Sequence, residues 1–130
     1  MTARGAEIRQ AQARMKAVLE PCWAMTRGTL EGHDADRHAR AIATLDAFAD
    51  ALVALPPRPA PARPARAAVE TAVARLLDRL QALNAETGGC LLETDEREII
   101  VPFVIEAAAP CGCPPETYEH GDITLPARRF

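Results

Sequence analysis

The chain has 130 residues, a formal net charge of −3 and 48% hydrophobic residues, but only 4% aromatics. That is the length of one domain. Its acidic and basic residues are interleaved with no basic stripe, so no nucleic-acid partner is expected. No apolar run comes near the roughly 18 residues a membrane helix needs, so no membrane partner is expected either; the start of the chain shows no charged-then-apolar leader, and a cytoplasmic location is the default expectation.

Alanine makes up much of the hydrophobic fraction, which favours helix while burying little area per residue. Large aromatics are confined to Trp23, Phe48, Phe103, Tyr118 and Phe130. The expected interior is therefore aliphatic and helical.

A first helix is predicted from about Thr2 to Met25. Ile8, Ala11, Met15, Val18 or Leu19, Cys22 and Met25 recur at alternating four-and-three spacing, the mark of a bundle seam. Arg9, Gln10, Arg14 and Lys16 fall on the wet side. Pro21 stands inside the pattern, so the helix either ends at Leu19 or bends, and the continuing seam favours a bend. Trp23 and Met25, beyond the proline, are expected on an exposed face that would suit self-association, with a homodimer as one outcome.

A second helix is predicted from Asp34, a plausible cap, to Leu55. Its stripe is Ile42, Leu45, Phe48, Ala49, Leu52 and Val53, and Pro56 and Pro57 end it. Residues 56–64 then hold five prolines in nine positions. Such a run favours polyproline II, and at about 3.1 Å per residue it could reach roughly 25–28 Å. It reads either as a crossover strap, which would let the second and third helices run parallel, or as a solvated linker.

The third helix, from about Ala65 to Glu86, has the cleanest stripe in the chain: Val69, Val73, Leu76, Leu77, Leu80 and Leu83. Burying its four leucines would contribute on the order of 6–12 kcal/mol before entropy is charged. Asn84 and Gly88 mark its end. After Gly88 and Gly89, Cys90 to Leu92 are expected to be short and extended. A fourth helix follows, capped by Thr94 or Asp95, with Glu98 in the capping-box position if Asp95 is the cap. Ile99, Ile100, Phe103, Val104 and Ala107 share its apolar face, and Pro102 should kink it. The β-branched run from Ile99 to Ile105 also permits a strand. Residues 110–130 form an irregular tail, in which Ile123, Leu125 and Phe130 could staple onto the bundle.

Three clusters have chemical potential. Cys111 and Cys113 form a Cys-x-Cys pair that, with Cys90 and His120, could make a four-ligand zinc site, since zinc takes thiolate and imidazole in tetrahedral array. The spacing is not that of a finger or ribbon, and free thiols are the plainer account. His33, Asp34, Asp36 and His38 gather at the second helix's start. The two histidines are five apart and do not share a face as residues four apart would; a solvated helix entrance, with acidic residues at the first turn, is expected there. Glu93, Asp95, Glu96, Glu98 and Glu106 offer paired carboxylates, but nothing nearby promises the burial that acid–base work needs, and the cap and helix dipole account for Asp95 and Glu96. Serine is absent from the chain, which removes serine triads.

The sequence thus predicts an all-α fold: one domain over residues 1–130, a four-helix bundle with a Pro-rich crossover linker and an irregular tail. The expected role is non-enzymatic, a small regulator, adaptor or immunity-type binder acting on a protein partner or on itself. A metal- or thiol-dependent role for Cys90, Cys111, Cys113 and His120 is the alternative.

Overall fold

A computed structural model describes residues 2–56 and 64–130. Four helices carry the fold: α1 (Ala3–Thr26), α2 (Ala35–Ala54), α3 (Arg66–Ala85) and α4 (Thr94–Ala108). Three short 3-10 turns follow at Ala109–Cys111, Pro115–Thr117 and Glu119–Gly121, and no strand is present among the described residues. The Ile99–Ile105 run is helical, so the strand alternative is overturned.

The helices form because each carries a stripe that cannot stay wet. All six predicted stripe residues of α3 are buried, as are Leu45, Phe48, Ala49 and Leu52 of α2 and Ile100, Phe103, Val104 and Ala107 of α4. They join Ile8, Ala11, Met15 and Leu19 of α1 in one apolar core. Phe48 meets Phe103 edge to face at 5.8 Å, which locks α2 to α4 across the centre.

Helix α1 packs against α2 and α4, and α2 packs against α3. Charge pairs give the directions. Arg9 reaches Asp50, and Lys16 reaches Asp46, so α1 and α2 are antiparallel. Arg37 and Arg40, early in α2, both reach Glu86 just past the end of α3. Helices α2 and α3 are therefore antiparallel too, not parallel as a crossover strap would allow. Residues 57–63 of the Pro-rich segment, on which the strap and linker expectations fall, lie outside the described residues.

Neither interior proline breaks its helix. Helix α1 runs unbroken past Pro21 and α4 past Pro102. Both prolines are on the exposed side, where the carbonyl each leaves without an N–H can turn to water. The seam of α1 also differs from expectation. It advances in steps of four, Met15, Leu19 and Trp23, so Trp23 is buried and only Val18 and Met25 face out. The expectation of an exposed Trp23 is overturned: a straight helix drifts off a heptad seam, and the indole rotates into the core.

The tail is laid back onto α3. Arg66 stacks over Tyr118 and donates to the Thr117 carbonyl, and Gln81 accepts from the backbone N–H of Arg129. Asp122 pairs with Arg128 and accepts from Thr124, closing the last loop on itself. Ile123 is buried and Phe130 packs on the core, while Leu125 stays exposed.

Candidate functional site

The end of the bundle where α1 stops and α4 starts holds the densest polar construction. Asp34 caps α2, its carboxylate accepting from the Arg37 N–H at 2.8 Å. Arg37 holds that carboxylate below its ordinary range, first through this backbone bond and then through its guanidinium. With Asp34 as cap, His33 and His38 occupy the positions just before the cap and four residues into the helix. Those are the places of a hydrophobic staple, where side chains five apart close over the helix start. The solvated entrance is therefore overturned for the two histidines: His33 is 4% exposed and His38 1%.

Their hydrogen bonds can be assigned completely. The Cys90 carbonyl, 2.9 Å from His33 Nε2, can only accept, so Nε2 carries a proton. Arg27 Nε, 3.3 Å from His38 Nδ1, can only donate, so that nitrogen is bare. His38 Nε2 then donates to His33 Nδ1 at 2.9 Å. A single directed chain results, from Arg27 through His38 and His33 to Cys90. Trp23 stacks flat on His38, centroids 4.5 Å apart and planes within 5°. Burial first, then the neighbouring His33 and Arg27, pushes His38 from 6.5 down to about 4.

The chain also ties two loops together. Gly32, with φ +81°, lies so close to Thr87 that a Cβ there would sit 2.6 Å from that side chain. Asn84 Oδ1 accepts from the N–H groups of both Leu91 and Leu92, and Thr87 Oγ1 from Cys90 and Leu91. Two buried leucines are thereby threaded into the core ahead of α4.

The cap of α4 lies one residue before Thr94 and two before Asp95, the two expected caps. Glu93 is the cap and Glu96 its capping-box partner, accepting from the Glu93 N–H at 3.1 Å. The carboxylate at the third helical position is the one that reaches back, and Glu96 is accordingly buried where Glu98 is exposed. His33, Leu30 and Thr26 on one side, and residues 92–97 on the other, line a cleft of about 430 Å³. Two further depressions, of about 230 and 570 Å³, continue between α1 and α4 toward Pro110 and Pro115.

The proposed zinc ligands are scattered. Cys90 is half-buried in the loop beneath His33, and its carbonyl, not its thiol, meets the imidazole. Cys111 and Cys113 are buried under the tail. Burial raises the Cys111 thiol to about 11. Tyr118 lies beside Cys113, and its hydroxyl is raised by burial and by that thiol. His120 points into solvent beside Glu119. Among the described residues no three His, Cys, Asp or Glu side chains converge in a way that could hold a metal ion. Nor is the histidine pair poised as a base, because every ring nitrogen already has a protein partner.

What the sequence missed is the histidine chain. The signal was present: a residue before the cap and another four into the helix is staple spacing, with imidazole in place of the usual aliphatic. Comparisons with protein-family models, curated proteins and solved structures return no match. Among the described residues no helix is long and apolar enough to cross a membrane.

Proposed function

We propose that this chain is a non-enzymatic binding protein that docks a protein partner along the face between α1 and α4. One observation carries this: four large apolar side chains are exposed among the described residues, and apart from Leu125 in the tail they are Val18, Met25 and Leu30, 57%, 82% and 53% exposed, in the second half of α1 and the loop after it. Val18 and Met25 are seven residues apart on α1, so they point the same way. Half-buried Cys22 lies between them, and Leu30 follows in the loop. Pro102 and the edge of Ile99 complete the floor from α4. Exposed apolar residues clustered beside a groove mark interaction surfaces more often than scattered ones do.

Two antiparallel helices with a shallow trough between them suit a third helix laid into the trough, a common mode of peptide recognition. The rigid polar construction at the groove's mouth supports this, since a surface that is already ordered loses little freedom on binding. Native-lysate capture should be compared between the unaltered protein, Val18→Asp/Met25→Asp, and a control on the far side such as Thr71→Asp. A partner lost only with the groove variant agrees with this role; equal retention by all three would refute it.

A further inference from the structure

We propose that the partner is a basic amphipathic helix, with aliphatic or methionine side chains on one side and lysine or arginine beside them; this rests on the docking role above. The groove is not electrically neutral along its length. At the Pro110 end Arg14 and Glu106 pair at 2.9 Å and cancel. At the Met25 end Glu93, Asp95 and Glu98 are exposed, with no salt-bridge partner among the described residues. Arg97, on the cleft wall, offsets one of them. The positive end of α4's dipole offsets about half a charge more. An acidic surplus remains against the apolar strip.

Two further observations agree. The Cys22 thiol, set in the strip, is raised by burial and then by Glu96 and Asp95, so negative potential reaches the groove floor. Pro102 offers no N–H to the Glu98 carbonyl, which leaves a backbone acceptor in the groove beside the Glu98 carboxylate. Lysine and arginine supply only donors, and so match both. A second copy of this chain would bring the same acidic surplus to the face, since its Arg14 is paired and its Arg97 is outnumbered by the neighbouring carboxylates. An anionic lipid surface would be repelled. From Glu7 to Met25 the face is about 27 Å long at about 1.5 Å per residue, enough for a partner helix of roughly 16 residues.

The test uses three synthetic helices of about that length with one common Leu/Met stripe, flanked by Lys, Gln or Glu. Their binding to the full chain is read by fluorescence anisotropy at low and moderate salt. The Lys peptide should bind at least about tenfold more tightly than the Gln peptide, and the Glu peptide weakest, with the gap narrowing as salt rises. Asp95→Lys/Glu98→Lys, two exposed positions, should invert the order, with circular dichroism checking that the helices persist. Hydrogen-exchange protection should fall on α1 and α4. Equal binding of the Lys and Gln peptides, an order that survives the charge reversal, protection elsewhere, or capture by anionic vesicles would each overturn the inference. If the Lys and Gln peptides bind equally and both are lost with Val18→Asp/Met25→Asp, the docking face stands and only its charge preference falls. If no peptide binds and lysate partners survive that same variant, both fall.

Discussion

Acid should loosen this protein as pH falls from 7 toward 5, and His38 is the reason. Unfolded, the imidazole takes up a proton near 6.5; folded, it resists until about 4. A histidine depressed in this way contributes its full stabilisation above 6.5 and loses it as pH falls through the window toward 4. Each unit between the two values corresponds to about 1.4 kcal/mol, so the full loss is about 3 kcal/mol, of which about 2 kcal/mol is gone by pH 5. For a domain whose total stability is on the order of 5–15 kcal/mol, that is a large fraction. The geometry agrees with the sign: protonating Nδ1 would set a new N–H against the Arg27 Nε–H, which can only donate.

The assay is urea denaturation at pH 7, 6, 5.5 and 5, paired with NMR titration of the histidine ring protons. Asp34 and Glu86, whose carboxylates lie below their ordinary values, lose their contribution only from about pH 4.5 downward, beneath the range of the assay. His38→Phe keeps a flat ring against Trp23 and should flatten the slope between pH 7 and 5 by about one proton's worth. In that variant Thr26 Oγ1, already 3.3 Å from His33 Nδ1, remains to satisfy that nitrogen. A His38 resonance titrating near 6.5, with stability unchanged from pH 7 to 5, would refute the reasoning.

Leu77, fully buried at the centre of the α3 stripe, should cost about 2–5 kcal/mol on change to Ala, measured by chemical denaturation at pH 7. Asn84→Ala removes the acceptor shared by Leu91 and Leu92 and should cost about 1–3 kcal/mol, while Asn84→Asp, which keeps the acceptor oxygens, should cost less. Gly32→Ala meets both a left-handed backbone and the Thr87 side chain, so it should destabilise by more than the roughly 1–2 kcal/mol of the backbone alone; Gly28→Ala, with open space at its Cβ, should cost only that. In the native protein a thiol reagent should label Cys90 and, more slowly, Cys22, leaving Cys111 and Cys113 unlabelled until denaturant is added; prompt labelling of all four would contradict the buried tail.

The helices were legible because burial imposes a period that local sequence must carry. The stripe of α3 needed no tertiary knowledge, and Asp34 declared itself as a cap by residue type. Val18 against Leu19 could not be resolved, since adjacent apolar residues fit the same seam; only the directions of the two helices packed on α1 decide which faces inward. Glutamate is a poor advertisement for a cap, so Glu93 was passed over for Thr94 and Asp95, and Glu98 was read where Glu96 serves. The histidine chain was hidden for a different reason. Its members, Trp23, Arg27, His33, His38 and the carbonyl of Cys90, span three segments, and no periodicity within any one of them records that they meet.

That long-range meeting explains how an aliphatic bundle of this kind presents a defined surface. Leucine seams are forgiving: an apolar residue of similar volume can replace another, and packing alone specifies position weakly. A directed hydrogen-bond chain is not forgiving, since one misplaced member leaves a buried donor or acceptor unmet. Here the chain anchors the 27–34 loop to the 87–92 loop, and the Glu93–Glu96 box sets where α4 begins. Those constraints fix the offset of α4 along α1, and with it the spacing between Val18 and Met25 on one wall and Glu98 and Pro102 on the other. The same helix therefore carries the lock and the exposed strip on opposite sides, Trp23 inward on His38 and Met25 outward, two residues apart. Loosening the lock by acid or by mutation should blur the groove before it melts the leucine core.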